Sequence, residues 1–170
     1  MACAVANNLC RYGYSVKYYR FSKLLEQLRI ARADGSYLRL LMQLQKVRCL
    51  VIDDWGLDSI PEQQRNDLLE IIDDRYKQGS LIITTQLPIE CWHEYIGEPT
   101  IADAILDRLL HNATVIDITG ESLRKNNWSI SINVAYLYKM KNYIAIIGIL
   151  DRHDWNTQER GYKIGRAHVW

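Results

Sequence analysis

The sequence predicts an α/β fold, a doubly wound parallel sheet with helices on both faces. Two short apolar runs, RCLVID at 48–53 and LIITT at 81–85, show no alternation. Such a run suits a strand covered on both faces. Segments with apolar residues at helical spacing flank these runs, and strands alternating with helices assemble into a parallel sheet. At 170 residues the chain holds one domain with a real core and is too short for two comfortable ones.

Taken in order, residues 1–11 carry small apolar side chains and read as a helix stopped by Gly13. SVKYYR at 15–20 is β-branched and aromatic, a strand. Leu24, Leu25, Leu28 and Ile30 repeat at helical spacing over 21–33, with Ser22 as a candidate N-cap. The turn Asp34-Gly35-Ser36 leads to a second helix over 37–45. After the strand at 48–53 comes a long amphipathic helix over 61–78, its inner face formed by Leu68, Leu69, Ile71 and Ile72. Pro61 lies near its first turn, where a missing N–H does no harm. The strand at 81–85 is followed by helices near 88–95 and 100–110 and a strand near 114–119. The pattern stops near Lys125. Residues 126–170 show no repeat and no clear turn chemistry, and have no evident place in the scheme.

Composition narrows the function classes. Hydrophobic residues at 48% and charged residues at 24% are ordinary for a globular protein. A net charge of +1 produces no global field towards nucleic acid or membrane, so a DNA contact has to come from a local cluster. Cys3, Cys10, Cys49 and Cys91 are scattered without a CxxC pair, which suits reduced thiols in a cytoplasmic protein better than zinc or a disulfide scaffold. There is no signal peptide, and the longest apolar run, 143–150, is far short of a bilayer span, so no membrane partner is expected.

The strongest chemical signal is LVIDDWG at 50–56. It sets a carboxylate at the carboxyl end of a buried strand, where α/β folds bind ligands. In P-loop ATPases this is the Walker B arrangement: the first acid holds Mg²⁺ and the next polarises the attacking water. Asp53 would take the first role and Asp54 the second. Alone, the pattern equally describes a strand that ends in two solvated aspartates. One βα unit later LIITTQLP ends a strand in Thr85 and Gln86, polar groups able to orient a water, or simply the start of a loop before Pro88. DAILDRLLHNA at 103–113 places Arg108 on a helix. Its planar, permanently charged guanidinium suits a γ-phosphate supplied by a neighbouring subunit. A surface ion pair with an adjacent acid is the plainer reading. Arg29, Arg32 and Arg39 flank the ADGS turn and could contact DNA phosphates, or form a solvated face with Glu26 and Asp34.

The stretches YGYSVKYYR, LLEQLRIARADGSY, LVIDDWG, LIITTQLPIECWHEYIGEPTIADAILDRLLHNA and GESLRK follow one another as they do in IstB-like ATPases. Those proteins assist the transposase of an insertion sequence and are similar to DnaC-type helicase loaders. The resemblance runs from about Ala2 to Lys125. It implies a P-loop NTPase (AAA+) three-layer parallel sheet, with ATP and Mg²⁺ as cofactors. Its implied partners are DNA, the transposase of the same insertion sequence, and further copies of the chain across the nucleotide interface. By the same resemblance Asp53 and Asp54 form the Walker B pair, and Thr85 and Gln86 fall at sensor 1. Arg108 matches the arginine finger, and Arg124 falls where a sensor-2-like arginine approaches nucleotide.

The chain departs from that pattern at both ends. No GxxxxGK[ST] loop occurs anywhere in it. In the relatives that loop lies just before the helix that begins here at Met1, so the chain is expected to lack the family's first strand and its phosphate cradle. That strand belongs in the sheet's middle, between those at 81–85 and 114–119, and its loss would leave two unpaired edges. The apolar run 143–150 (YIAIIGIL) is the candidate to fill part of the gap. The expected division is a partial ATPase core over 1–125 and a non-family tail over 126–170. The terminal IGRAHV also matches a translated sequencing-library adapter, so 164–170 are expected to be read-through. Three functions follow as expectations: an ATP-dependent transposition helper, a non-catalytic remnant that binds DNA or intact partner subunits, and a replicative helicase loader.

Overall fold

The computed structural model describes residues 2–76, 78–111, 113–119, 144–150 and 164–166. In chain order these form α1 (Ala2–Arg11), β1 (Val16–Arg20), α2 (Phe21–Asp34), α3 (Tyr37–Lys46), β2 (Cys49–Trp55), α4 (Glu62–Arg75) and β3 (Ser80–Thr85). A short 3₁₀ turn (Ile89–Cys91) leads into α5 (Trp92–Ile96), α6 (Pro99–Leu110), β4 (Ala113–Thr119), β5 (Ile144–Leu150) and β6 (Ile164–Arg166). The strands make one sheet of order β1-β2-β3-β5-β4-β6. All pairings are parallel except that of β6, which runs antiparallel to β4. The parallel α/β architecture is the one the sequence predicts. No helix among the described residues is long and apolar enough to cross a membrane.

Strand alternation divides the core between the two faces of the sheet. Cys49 and Val51 of β2 and Ile82 of β3 turn to one face and pack with Val5 and Ala6 of α1. Leu50, Ile52, Leu81 and Ile83 turn to the other face and meet Leu24, Leu28, Leu68, Ile71 and Ile105 from α2, α4 and α6. The larger core closes on an aromatic group: the Trp55 ring lies 4.6 Å from Phe21, 5.3 Å from Trp92 and 5.8 Å from Tyr95. Trp92 is anchored by its indole N–H, which donates to the Leu87 carbonyl at 3.0 Å.

Strand β5 lies between β3 and β4, the place for which the sequence offered the run at 143–150. Ile83 pairs with Ile146 on one side and Val115 with Ile146 on the other. A β-branched run brought against two unpaired strand edges satisfies both rows of backbone donors and acceptors, which is reason enough for it to be there.

Helix α4 ends three residues before the predicted boundary. The amides of Gln78 and Gly79 fold back onto the Arg75 carbonyl at 3.0 and 3.1 Å, closing the last turn. The Arg75 side chain does something the sequence does not suggest. It is buried, with 3% of its surface exposed, and its guanidinium donates to four backbone carbonyls: Leu44 at 2.5 Å, Val47 at 3.2 Å, Arg48 at 3.5 Å and Ser80 at 2.7 Å. Among the described residues no carboxylate pairs with it, and burial pushes its pKa down. One cation thus ties the end of α3 and the starts of β2 and β3 to α4. Gly79 leaves the room, since a Cβ there would lie 2.6 Å from an Arg75 Nη atom.

Three substitutions test these contacts. Arg75→Met removes donors from buried carbonyls and should lower unfolding free energy by about 3 kcal/mol in urea denaturation. Gly79→Ala should cost less, because the guanidinium can shift. Ile146→Pro removes a ladder N–H from a central strand and should cost about 3 kcal/mol or more; an unchanged urea midpoint would rule out the central place of β5.

Candidate functional site

The chemistry gathers at the carboxyl ends of β1, β2 and β3. Between Ile52 and Trp55 the register of β2 against β3 shifts: Ile52 pairs with Ile83 and Trp55 with Thr85, so Asp53 and Asp54 stand opposite Thr84 alone. This is a β-bulge, and it changes which way the following side chains point. Asp53 stays on the face of Val51, towards α1. Trp55, which simple alternation would send the same way, instead enters the larger core with Leu50 and Ile52. The extra residue is Asp54, at φ 63°. Aspartate is among the few residues that adopt this left-handed conformation readily. Gly56 follows at φ 93°, and a Cβ there would approach the Leu87 Cβ to 2.7 Å. A side chain at position 56 would therefore push the two strand-end loops apart.

Asp53 is held at both oxygens. The Thr84 hydroxyl donates to Oδ1 and the Tyr18 hydroxyl donates to Oδ2. Thr84 also accepts the backbone N–H of Asp54 at 3.2 Å, so one buried hydroxyl fixes both the carboxylate and the bulge. Burial first, and the bond to Asp53 next, push the Tyr18 phenol well above its ordinary pKa, so it remains a donor. Asp54 is more open: Arg20 Nε lies 3.6 Å from its Oδ2, and both side chains are substantially exposed.

The other expected site residues lie in different surroundings. Thr85 faces the larger core, where its hydroxyl donates to the Trp55 carbonyl at 2.8 Å and accepts the Leu87 N–H at 2.9 Å. The threonine against the acid is therefore Thr84, one residue earlier. Gln86, just past the strand, is exposed. Arg108 on α6 forms a two-pronged ion pair with Asp73 of α4, through Nε to Oδ1 and through Nη2 to Oδ2 at 3.3 Å. It also donates to the Ala104 carbonyl at 2.8 Å. Within one chain the plainer ion-pair reading of Arg108 describes its surroundings, with Asp73 as the partner. Arg124 lies outside the described residues.

Of the three arginines near the ADGS turn, Arg32 is committed to the fold. It pairs with the buried Asp67 at 2.5 Å and stacks over the Tyr37 ring at 3.4 Å, while the Tyr37 hydroxyl donates to Glu70 at 2.7 Å. Arg29 and Arg39 are exposed. Tyr18, Arg20 and Thr84 were not singled out from sequence, yet strand parity carries a signal for Thr84. It alternates with Ile82 on the Asp53 face, whereas Thr85 follows Leu81 and Ile83.

The donor set at the strand ends is all oxygen: two carboxylates and neutral hydroxyls. That suits a hard cation such as Mg²⁺, which takes one or two carboxylates and keeps its waters for the rest. Among the described residues no cluster of three or more His, Cys, Asp or Glu could cage a metal. The fit is thus to a hydrated ion completed by ligand oxygens. A phosphate cradle is a separate requirement, and no GxxxxGK[ST] pattern occurs in the 170 residues.

Comparison with known proteins places the chain among relatives that are named for insertion sequences. The insertion sequence ATP-binding protein y4pL of Sinorhizobium fredii is 56% identical over 126 residues, 74% of this chain and 51% of that protein. A second protein of that organism, y4uH, is 45% identical over 125 residues, 74% of this chain and 50% of its own length. The IS21 ATP-binding protein of Pseudomonas aeruginosa is 31% identical over 124 residues, 73% of this chain and 47% of that one. The chain therefore spans about half the length of these relatives. Among solved structures, the DnaC helicase loader aligns over 56% of this chain and 59% of its own, with a TM-score of 0.44 at 20% identity, too slight a likeness to carry an argument. Residues 1–131 match the family described as IstB-like ATP binding protein, which takes in β1 to β4 and stops before β5, and the chain belongs to that family.

Proposed function

We propose that this chain carries the metal and water-activating acids of an ATP-dependent helper of DNA transposition, one that binds DNA and recruits the transposase of its insertion sequence. The observation that carries the reading is Asp53, held by two hydroxyls at the end of a buried parallel strand, with Asp54 turned out beside it by a left-handed bulge. In P-loop ATPases the Walker B acids occupy such a strand end. Bound Mg²⁺ neutralises charge on the phosphate oxygens. Asp53 would hold the ion through its open lone pairs, Asp54 would take up the proton of the attacking water, and Thr84 would keep the two acids in register. Gln86 lies close enough in sequence to join them as a water-orienting group. Arg108 would serve a neighbouring copy by leaving Asp73, and Arg124 is the further candidate for the nucleotide. The work would be done in the cytoplasm, in keeping with free thiols at Cys3, Cys10, Cys49 and Cys91.

A second reading is favoured by one specific observation, the absence of the phosphate-loop pattern from these residues. On that reading the chain binds DNA or intact partner subunits without turning over nucleotide. A replicative helicase loader would share the same strand-end acids and differ in its partner. A neighbouring reading frame that encodes a transposase, rather than a helicase, separates the two.

Nucleotide binding decides between catalysis and its absence. The purified chain, titrated with a fluorescent ATP analogue and Mg²⁺, should bind saturably. Asp53→Ala should weaken binding at least tenfold, of the order removal of a metal ligand or its support produces. No binding by the wild-type chain, against clear binding by a version extended upstream through a GxxxxGK[ST] loop, would establish the second reading for this chain. DNA contact is checked by salt titration. Each of Arg29→Ala and Arg39→Ala should flatten the log K against log salt slope by about 1 if those exposed guanidiniums meet phosphates.

A further inference from the structure

We propose that Tyr18 is a positioning residue for the Asp53 carboxylate: with Thr84 it fixes the carboxylate plane so that the remaining lone pairs face an incoming hydrated divalent cation. This rests on the metal role proposed above for Asp53 and adds a residue to it.

An ionised carboxylate offers about four acceptor sites on its two oxygens. A single donor would leave the group free to rotate about its Cβ–Cγ bond. Here two donors from two different strands hold opposite oxygens, Thr84 of β3 on Oδ1 and Tyr18 of β1 on Oδ2. Thr84 cannot turn away, because its one proton is directed at Asp53 and its oxygen accepts the Asp54 amide. The orientation of the carboxylate then depends on the second clamp, and Tyr18 supplies it from a rigid ring whose hydroxyl is directed at Oδ2. Tyr18 lies on the edge strand and is 39% exposed, so its hydroxyl has water as an alternative and is nonetheless directed inward. Among the described residues Asp54 has no such clamp, and its side chain meets the exposed Arg20 at 3.6 Å. A clamped first acid and a more exposed second acid match a metal ligand beside a proton acceptor. Hydrogen-bond donors behind a metal-binding carboxylate commonly carry a 10–100-fold share of metal affinity, roughly.

The test uses Mn²⁺ alone, read from the electron paramagnetic resonance signal of the free ion, on the 170-residue chain without nucleotide. Tyr18→Phe should weaken Mn²⁺ binding at least tenfold, while Tyr19→Phe on the same strand should leave it unchanged. Thr84→Ser, which keeps the hydroxyl, should stay near wild type. Thermal unfolding of each variant, followed in parallel, separates loss of the clamp from loss of the fold. Equal or tighter Mn²⁺ binding by Tyr18→Phe overturns the inference and leaves the metal role of Asp53 standing, provided Asp53→Asn abolishes binding and restores the full free-ion signal. Failure of the wild-type chain to bind Mn²⁺, or wild-type binding that survives Asp53→Asn, overturns both.

Discussion

Between Ile52 and Trp55, strand β2 carries one residue more than the stretch of β3 it faces, and much of the molecule is arranged around that extra residue. Without it, Asp53 and Trp55 would point to the same face. The bulge separates them: the acid goes to the thinner side under α1, and the indole goes into the core among Phe21, Trp92 and Tyr95. An acid at the end of a strand and a large aromatic two residues later can both be satisfied only in this way. The left-handed Asp54 is where the backbone absorbs the change, and Gly56 completes the turn because a Cβ would strike Leu87. The buried Thr84 hydroxyl bonds to both halves of the bulge, so the support of the core and the support of the candidate site share one atom.

Arg75 shows the same economy away from the site. Buried arginines are normally paired with carboxylates, because an isolated buried charge is costly. Here the carbonyls of Leu44, Val47, Arg48 and Ser80 act in place of a carboxylate. Three of these lie at the end of α3 or in the link to β2; the Arg48 carbonyl also accepts the Ser80 amide at 2.9 Å, while helix-end carbonyls such as that of Leu44 have no partner further along the helix. The two terminal nitrogens of the guanidinium are thus satisfied by carbonyls, while its Nε is buried without a partner. The effect is to set the start of β2, and with it the position of the bulge at its far end, relative to α4.

Much of this was legible in the sequence, and the parts that were not have physical reasons. The unbroken runs at 48–53 and 81–85 gave the buried parallel strands, and LVIDDWG gave the strand-end acids, because both signals are local. Thr85 is the polar residue that a strand-end pattern picks out, and its hydroxyl lies in the larger core while that of Thr84 meets Asp53. Strand parity points to Thr84, since Ile82 and Thr84 share a face opposite Leu81, Ile83 and Thr85. The Tyr18 contact had no local signal, because it crosses 35 residues and depends on the register of β1 against β2. Arg32 looked like its neighbours Arg29 and Arg39 until Asp67, equally distant in sequence, was brought beneath it. Arg108 is a similar case, its partner Asp73 coming from another helix. Long-range pairing decides what a charged side chain is for, and single-sequence periodicity carries little of it.

Strand β5 separates completing a sheet from completing a site. The opening between β3 and β4 presents two rows of backbone donors and acceptors, and its requirement is one of length and β propensity. IAIIGIL meets both, and it does so from outside the residues that match the family. A phosphate cradle asks for more: a run of N–H groups bent around an anion, with a lysine at a set spacing. The run at 144–150 can supply the first requirement through its backbone alone and, with a single glycine and no lysine, serine or threonine, cannot supply the second. A continuous sheet beside Asp53 and Asp54 is therefore no argument that nucleotide binds there. That case rests on the acids, their clamps and the binding measurements themselves.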